Sequence, residues 1–309
     1  MKVTLLAGRT GGAKLAHGFQ QVLAPGELTV IVNVADDAEL FGLRVSPDID
    51  TVLYTLAGVA NTETGWGVHD DTWTALMMLG RYGEPTWFRV GDADLATHVR
   101  RSHLLAGGAS LTDATRSMAQ ALGVPSKVLP ATDDRLRTLL QTDEGELEFQ
   151  DYFVRLRQEP EVRGVRFDGL ELARPTPDVL DAIGTAGRLV IAPSNPVVSV
   201  APILDVPGVR QAIVAAGRRG TPRLAVSPIV AGAALKGPAD RMLASLGHEA
   251  TALGVARLYS GVIDTSVLDE ADTDLAPRIS ELGMEPLVLP TVMRDDADRA
   301  ALARALLPG

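Results

Sequence analysis

The sequence predicts an α/β fold, a three-layer Rossmann-like parallel sheet with helices on both faces and a mostly helical insertion over the carboxyl edge of the sheet. An apolar run, Val3 to Leu6, stops at a glycine loop and gives way to a helical pattern. A second apolar run, Thr29 to Val32, ends in the acidic stretch Asn33 to Asp37. From Arg188 onward short strand-like runs again alternate with helical ones, as parallel strands joined by crossover helices do.

The opening βαβ unit carries most of the chemistry. Val3 to Leu6 reads as a buried parallel strand. Gly8, Gly11 and Gly12 permit a tight turn and a close approach of backbone to a ligand. Ala13 to Leu23 then reads as a helix whose free N–H groups and dipole favour phosphate, with Lys14 adding a point charge in its first turn. The loop lacks the Gly-Lys-Ser/Thr ending of a Walker A motif, and its glycines do not follow G-x-G-x-x-G. It is either an anion cradle or a plain tight turn. Asp36 and Asp37 end the second strand, where open α/β sheets collect their ligands, and Asp48 and Asp50 follow in SPDIDT. Adjacent acids repel unless solvent or a cation relieves them, and Mg²⁺ suits one or two carboxylates plus phosphate oxygens. The alternative is a solvated acidic loop in which Asp48 or Asp50 caps a helix from Thr51 to Ala57.

The chain reads as a single domain over 1–309, with 61–165 as a lid-like helical insertion. HDDTWTALMML places Trp73, Leu76 and Met77 on one helical face. DADLATHVRRSHLLAGG is a second helix stopped by Gly107-Gly108, and a third starts at the cap Ser110 with Asp113 in the capping-box position. Asp143-Glu144-Gly145 reads as a turn between two strands. Beyond the insertion, strands are expected at Arg188 to Ala192, Arg223 to Val226, Val255 to Tyr259 and Leu287 to Leu289. Helices are expected at Val209 to Ala216 and Asp295 to Leu307.

Composition narrows the function classes. A net charge of −10, with lysine only at positions 2, 14, 127 and 236, argues against a nucleic-acid partner. No apolar run has membrane-spanning length, and the start does not read as a signal peptide. The absence of cysteine excludes disulfides, Fe–S ligation and a thiol nucleophile, and accords with a cytoplasmic location. The five histidines show no metal-ligand spacing.

Further motifs are candidates for the same site. APSNPVVSVAPIL follows a strand and offers Ser194, Asn195 and Ser199 to a base or phosphate, or simply caps a helix. SPIVAGAALKGPA places Lys236 beside glycines, within reach of a diphosphate or on the surface. Trp66, between Gly65 and Gly67, suits stacking on a planar ring and equally suits packing. Arg89 ends a short apolar run and is a candidate for an anionic or carbonyl group.

In order, LAGRTGGAKLAHG, NVADD, SPDIDTVLYTLAG, GWG, GDADLATHVRRSHLLAGGASLT, FQDYFVRLR, APSNPVVSVAPILDVPG and VSPIVAGAALKGPA resemble the 2-phospho-L-lactate transferase family of coenzyme F420 biosynthesis (CofD, or FbiA in actinobacteria) nearly end to end. The resemblance implies an Mg²⁺-dependent transfer from a guanosine diphosphate conjugate of lactate or enolpyruvate. The acceptor is the ribityl hydroxyl of 7,8-didemethyl-8-hydroxy-5-deazariboflavin (Fo), and GMP is released. It implies that Asp50, Arg89 and Trp66 serve Fo, and that Gly11, Gly12 and Lys14 hold the diphosphate. Ser194, Asn195 and Ser199 would serve the guanosine side. Among the acids, Asp36 and Asp48 are the choice for the metal, and Asp50, Asp37 or a metal-bound water would accept the hydroxyl proton. A homodimer with small-molecule substrates and no membrane or nucleic-acid partner is implied as well. Arg9 departs from the small residue usual in the family's loop, and Val34 from its Thr or Ile. The main alternative is a non-catalytic nucleotide-sugar-binding regulator of the YvcK type, which SPDIDTVLYTLAG and FQDYFV disfavour. An NAD-dependent oxidoreductase fits poorly, because the second strand does not end in a lone acid.

Overall fold

A computed structural model of the protein describes every residue before Gly309. The chain opens with β1 (Val3–Ala7), α1 (Arg9–Val22) and β2 (Leu28–Val32). A hairpin of β3 (Ala38–Leu40) and β4 (Leu43–Val45) leads into α2 (Pro47–Leu56). Helices α3 (Thr74–Arg81), α4 (Asp92–Ala106) and α5 (Leu111–Ala121) precede β5 (Lys127–Pro130). Next come β6 (Arg137–Thr142), β7 (Gly145–Glu148) and β8 (Val162–Asp168), with a short π-helix, Asp151–Arg155, between the last two.

The second half runs α6 (Pro177–Gly184), β9 (Arg188–Ile191), a π-helical turn Pro196–Val200, α7 (Ala201–Asp205), α8 (Val209–Arg218) and β10 (Arg223–Val226). The small hairpin of β11 (Ile229–Val230) and β12 (Ala233–Ala234) leads to α9 (Ala239–Ser245) and α10 (Ala252–Leu258). The chain then continues through β13 (Thr265–Asp269), α11 (Ala276–Ser280), β14 (Glu285–Leu289) and α12 (Asp296–Ala305).

A seven-stranded sheet in the order β14-β13-β10-β9-β1-β2-β5 forms the centre, with every pairing parallel. The fold class expected from sequence is borne out. All five residues of β1 are buried, as a strand covered on both faces must be, and Val/Ile/Leu-rich β2 continues that core. Helices α2 and α12 both pack against α1, while α6 and α8 pack together elsewhere on the sheet.

Several expected boundaries move. Helix α1 begins at Arg9, so Gly11 and Gly12 belong to its first turn. Helix α2 starts with Pro47 as its first residue, and Asp48 and Asp50 lie inside the first turn, where the helix dipole favours acids. Val255 to Tyr259, read as a strand, is helical: Thr251 caps α10 by accepting a hydrogen bond from Gly254 N. Strand β13 supplies the missing parallel partner instead. The stretch 61–165 carries strands as well as helices: β5 is the edge strand of the main sheet, and β6 and β7, the pair expected around the Asp143-Glu144-Gly145 turn, form a separate antiparallel sheet with β8. Among the described residues, no single helix is long and apolar enough to cross a membrane.

Candidate active site

The chain winds from β1 through β2 to β5 on one side, then returns to β9 on the other side of β1. The loops after β1 and β9 therefore diverge around a switch point at the carboxyl ends of the strands, the usual ligand crevice of an open α/β sheet. A cavity of ≈ 1010 Å³ occupies this place, lined by Gly8 to Gly11, Asp48, Asp50, Trp66, Arg89 and Ser194 among others.

The two loops are locked together. Gly8 N donates to Ser194 Oγ (3.1 Å), and Ser194 Oγ donates to Gly8 O (2.9 Å). A Cβ on Gly11 would stand 2.1 Å from the Pro193 carbonyl oxygen, and one on Gly12 would stand 2.8 Å from Ala7 Cβ. Close approach to the protein's own backbone thus requires these glycines. The first turn of α1, whose N-cap Gly8 offers no side chain, stands at the cavity wall. Asn195 Oδ1 accepts from Val197 N (2.9 Å) and so acts as a cap. Ser199 Oγ is buried without a hydrogen-bond partner. All three of Ser194, Asn195 and Ser199 line the cavity.

Asp36 and Asp48 are brought together by Arg9. Asp36 Oδ1 accepts from Thr138 Oγ1 (3.0 Å), and Asp48 Oδ2 accepts from Asn33 Nδ2 (3.0 Å). The remaining oxygens, Asp36 Oδ2 and Asp48 Oδ1, have no hydrogen-bond partner, and each lies 3.6 Å from Arg9 Nε. Arg9 itself has a left-handed backbone (φ 52°), and its guanidinium lies 3.9 Å over the Phe153 ring and 4.7 Å over Phe149. Burial pushes both carboxyls above the ordinary aspartate range; the neighbouring Asp48 charge raises Asp36 further, and Arg9 opposes the rise at both. Two buried carboxylates, each with one oxygen that accepts no hydrogen bond and is only loosely paired with Arg9, make a donor set that suits a small divalent cation.

Asp37 is placed differently. It accepts from Ser46 Oγ (2.7 Å), pairs with Arg44 (3.2 Å) and does not line the cavity. Burial lifts its carboxyl to about 6 against the pull of Arg44. The expectation that Asp37 accepts a substrate proton is corrected by this position.

Asp50 lies at the cavity wall in a buried polar cluster. Arg101, fully buried, grips both its oxygens: Nη2 donates to Oδ1, and Nη1 donates to Oδ2 at 3.2 Å. His98 Nδ1 lies 3.6 Å from Asp50 Oδ2, and Nε2 lies 3.5 Å from Asp94 Oδ1. Tyr54 OH donates to that same Asp94 oxygen (2.8 Å). The donor atoms of Asp50, Asp94 and His98 are close enough to share an ion. With Arg101 already spending its charge on both oxygens of Asp50, a second cation there would be repelled, and a charge-satisfied polar network fits better.

Opposite, aromatic groups make a wall. The Trp66 and Trp73 rings meet edge to face at 6.2 Å, and the Arg89 guanidinium lies 4.4 Å over Trp73. Trp66, 40% exposed, is presented by Gly65 and Gly67, both with positive φ that a larger residue would strain. Lys14 donates to Met293 O (2.8 Å), and burial together with Arg299 and Lys236 lowers its pKa.

The structure thus collects Gly11, Lys14, Asp48, Asp50, Trp66, Arg89, Ser194, Asn195 and Ser199 around one crevice, with Gly12 and Asp36 just behind the wall. Sequence reading missed Tyr54, Asp94, His98 and Arg101. Asp94, His98 and Arg101 recur at helical spacing in DADLATHVRR, a polar stripe on one face of α4 that was legible in principle.

Fold and cavity define a doubly wound α/β protein with a large crevice at the carboxyl edge of its sheet. The model of the family described as 2-phospho-L-lactate transferase CofD matches residues 3–290, and the chain belongs to that family. A phosphoenolpyruvate transferase of Streptomyces griseus is 42% identical, over 99% of this chain and 98% of its own. A 2-phospho-L-lactate transferase of Methanothermobacter thermautotrophicus is 41% identical, over 99% and 97%. A crystal structure of a UPF0052 family member from Bacillus halodurans shares the fold, with a TM-score of 0.63 at 19% identity over the whole of both chains.

Proposed function

We propose that the protein transfers the phospho-acid part of a lactyl- or enolpyruvyl-diphosphoguanosine to the terminal ribityl hydroxyl of Fo, as a step of coenzyme F420 biosynthesis. The observation that carries this reading is the end-to-end relationship to transferases named for both acids. In the reaction, the ribityl oxygen bonds to the distal phosphorus. The bond from that phosphorus to the bridging oxygen breaks, GMP leaves with the electron pair, and the hydroxyl proton passes to a carboxylate or water. Such a transfer depends on alignment and charge neutralisation more than on covalent help.

The residues suit these tasks. Asp36 and Asp48 would hold Mg²⁺, whose chemistry there is neutralisation of charge on the diphosphate oxygens. The first turn of α1 and Lys14 bind the diphosphate, and the Ser194 to Ser199 loop serves the guanosine. Arg89 and the indole of Trp66 hold the planar deazaflavin, while Arg101 fixes the Asp50 carboxylate toward the ribityl chain. The same reading takes the protein to be a cytoplasmic homodimer. Incubation with Fo, Mg²⁺ and each conjugate should yield GMP and a phosphorylated deazaflavin in equal amounts. Tight nucleotide binding without turnover of either conjugate would overturn the reading.

A further inference from the structure

A second cavity of ≈ 240 Å³ shares Thr10, Lys14, Trp66, Lys236 and Arg294 with the main one, so it is a side chamber of the same crevice. Its charge runs against the composition of the chain. In a protein of net charge −10, its lining includes Lys14, His17, Lys236, Arg294 and Arg299 against one acid, Asp296. That acid is 67% exposed and already committed, since Arg299 pairs with it at 2.8 Å and His17 lies 3.7 Å from it. Lys14, Lys236 and Arg294 have no carboxylate partner among the described residues, whereas Arg299 at the same chamber is paired.

The cations are held where they are. Lys14 is fixed through Met293 O, next to Arg294 in the chain. A Cβ on Gly65 would stand 2.8 Å from Lys236 Nζ, so the glycine makes room for that amine. Thr10 Oγ1 donates to Gly65 O (3.2 Å), which ties the Trp66 turn to the first turn of α1. Cations crowded at the edge of a cavity repel one another; burial first, and then the charges of Arg299 and Lys236, lower the Lys14 pKa. An arrested anion relieves that repulsion.

We propose that this side chamber is the binding site for the carboxylate of the donated acid, held by Lys236 and Arg294, with Lys14 standing between it and the diphosphate. Its volume is ample for a three-carbon acid. Lys14 also lies one turn beyond the first turn of α1 and lines both cavities, so it connects the chamber to the main crevice. The identity of the acid rests on the transferase reading; the small-anion site itself does not.

Lys236 and Arg294 are exposed, so a Lys236→Met/Arg294→Met double variant should fold, which circular dichroism checks. Calorimetric titration of parent and variant with phosphoenolpyruvate, inorganic phosphate and GMP separates the possibilities. The site assigned here requires phosphoenolpyruvate to lose at least tenfold in affinity in the variant, GMP to change less than twofold, and inorganic phosphate to bind the parent at least tenfold more weakly than phosphoenolpyruvate. An equal loss for GMP would make these cations part of the diphosphate site and overturn the proposal. So would equal binding and equal loss of phosphoenolpyruvate and inorganic phosphate. Turnover is read separately: failure on every conjugate would remove the transferase reading while leaving the anion titration to stand or fall by itself.

Discussion

Arg9 shows how a single residue can be legible as unusual and opaque in role. The sequence marks it as out of place in a glycine loop, yet its positive φ and its seat on Phe149 and Phe153 depend on a segment 140 residues away in the chain. A left-handed non-glycine costs on the order of 1 kcal/mol, here offset by cation–π contact and by two buried carboxylates. The glycines of the same loop were readable, but for a different reason than phosphate approach alone. Gly11→Ala would drive a methyl into the Pro193 carbonyl, and equilibrium denaturation should show a loss of about 2–3 kcal/mol. Asp37 yields a pH test. Its folded carboxyl titrates at about 6 against an ordinary 3.8, so its contribution to stability is full below the unfolded value and is lost as pH rises through about 6. Relative to Asp37→Asn, the parent should lose up to roughly 3 kcal/mol of unfolding free energy between acid and neutral pH. A pH-independent difference between the two would contradict it.

At the scale of elements, strong apolar periodicity and caps were read well and short ambiguous runs were not. The strand β1, the strand β2 and the helix α12 stand where their patterns put them. Val255 to Tyr259 is a short apolar run that fits either period; the Thr251 cap decides for helix, and it lies outside the run. Strand β13 escaped because its five residues, TSVLD, are bracketed by acids and polar residues. The polar face of α4 is the main functional loss, since a helix stripe of Asp94, His98 and Arg101 acquires meaning only when α2 brings Asp50 and Tyr54 against it. Arg101→Met leaves Asp50 as a buried, uncompensated charge and should cost roughly 3–5 kcal/mol. Adding Asp50→Asn should recover much of that loss, and a double variant no more stable than Arg101→Met would refute the pairing.

For the whole molecule, the placement of the site follows from strand order. Because the chain leaves β1 in one direction and returns to β9 on its other side, two loops far apart in sequence must meet at the carboxyl edge. The sequence listed the motifs; only the topology explains why the loops carrying RTGG and PSNP interlock over Asp48. The acids beneath them are held at an energetic disadvantage, raised by burial and mutual repulsion. A group kept under such strain is better explained by function than by stability. The central claim is that Asp48 serves transfer chemistry at this crevice. The direct measurement is GMP release from the diphosphoguanosine conjugates in the presence of Fo and Mg²⁺, with thermal stability, for Asp48→Asn beside the parent. A variant at least as stable as the parent, with turnover lower by about 10²–10³, is the predicted result. Undiminished turnover in a folded Asp48→Asn protein would contradict it.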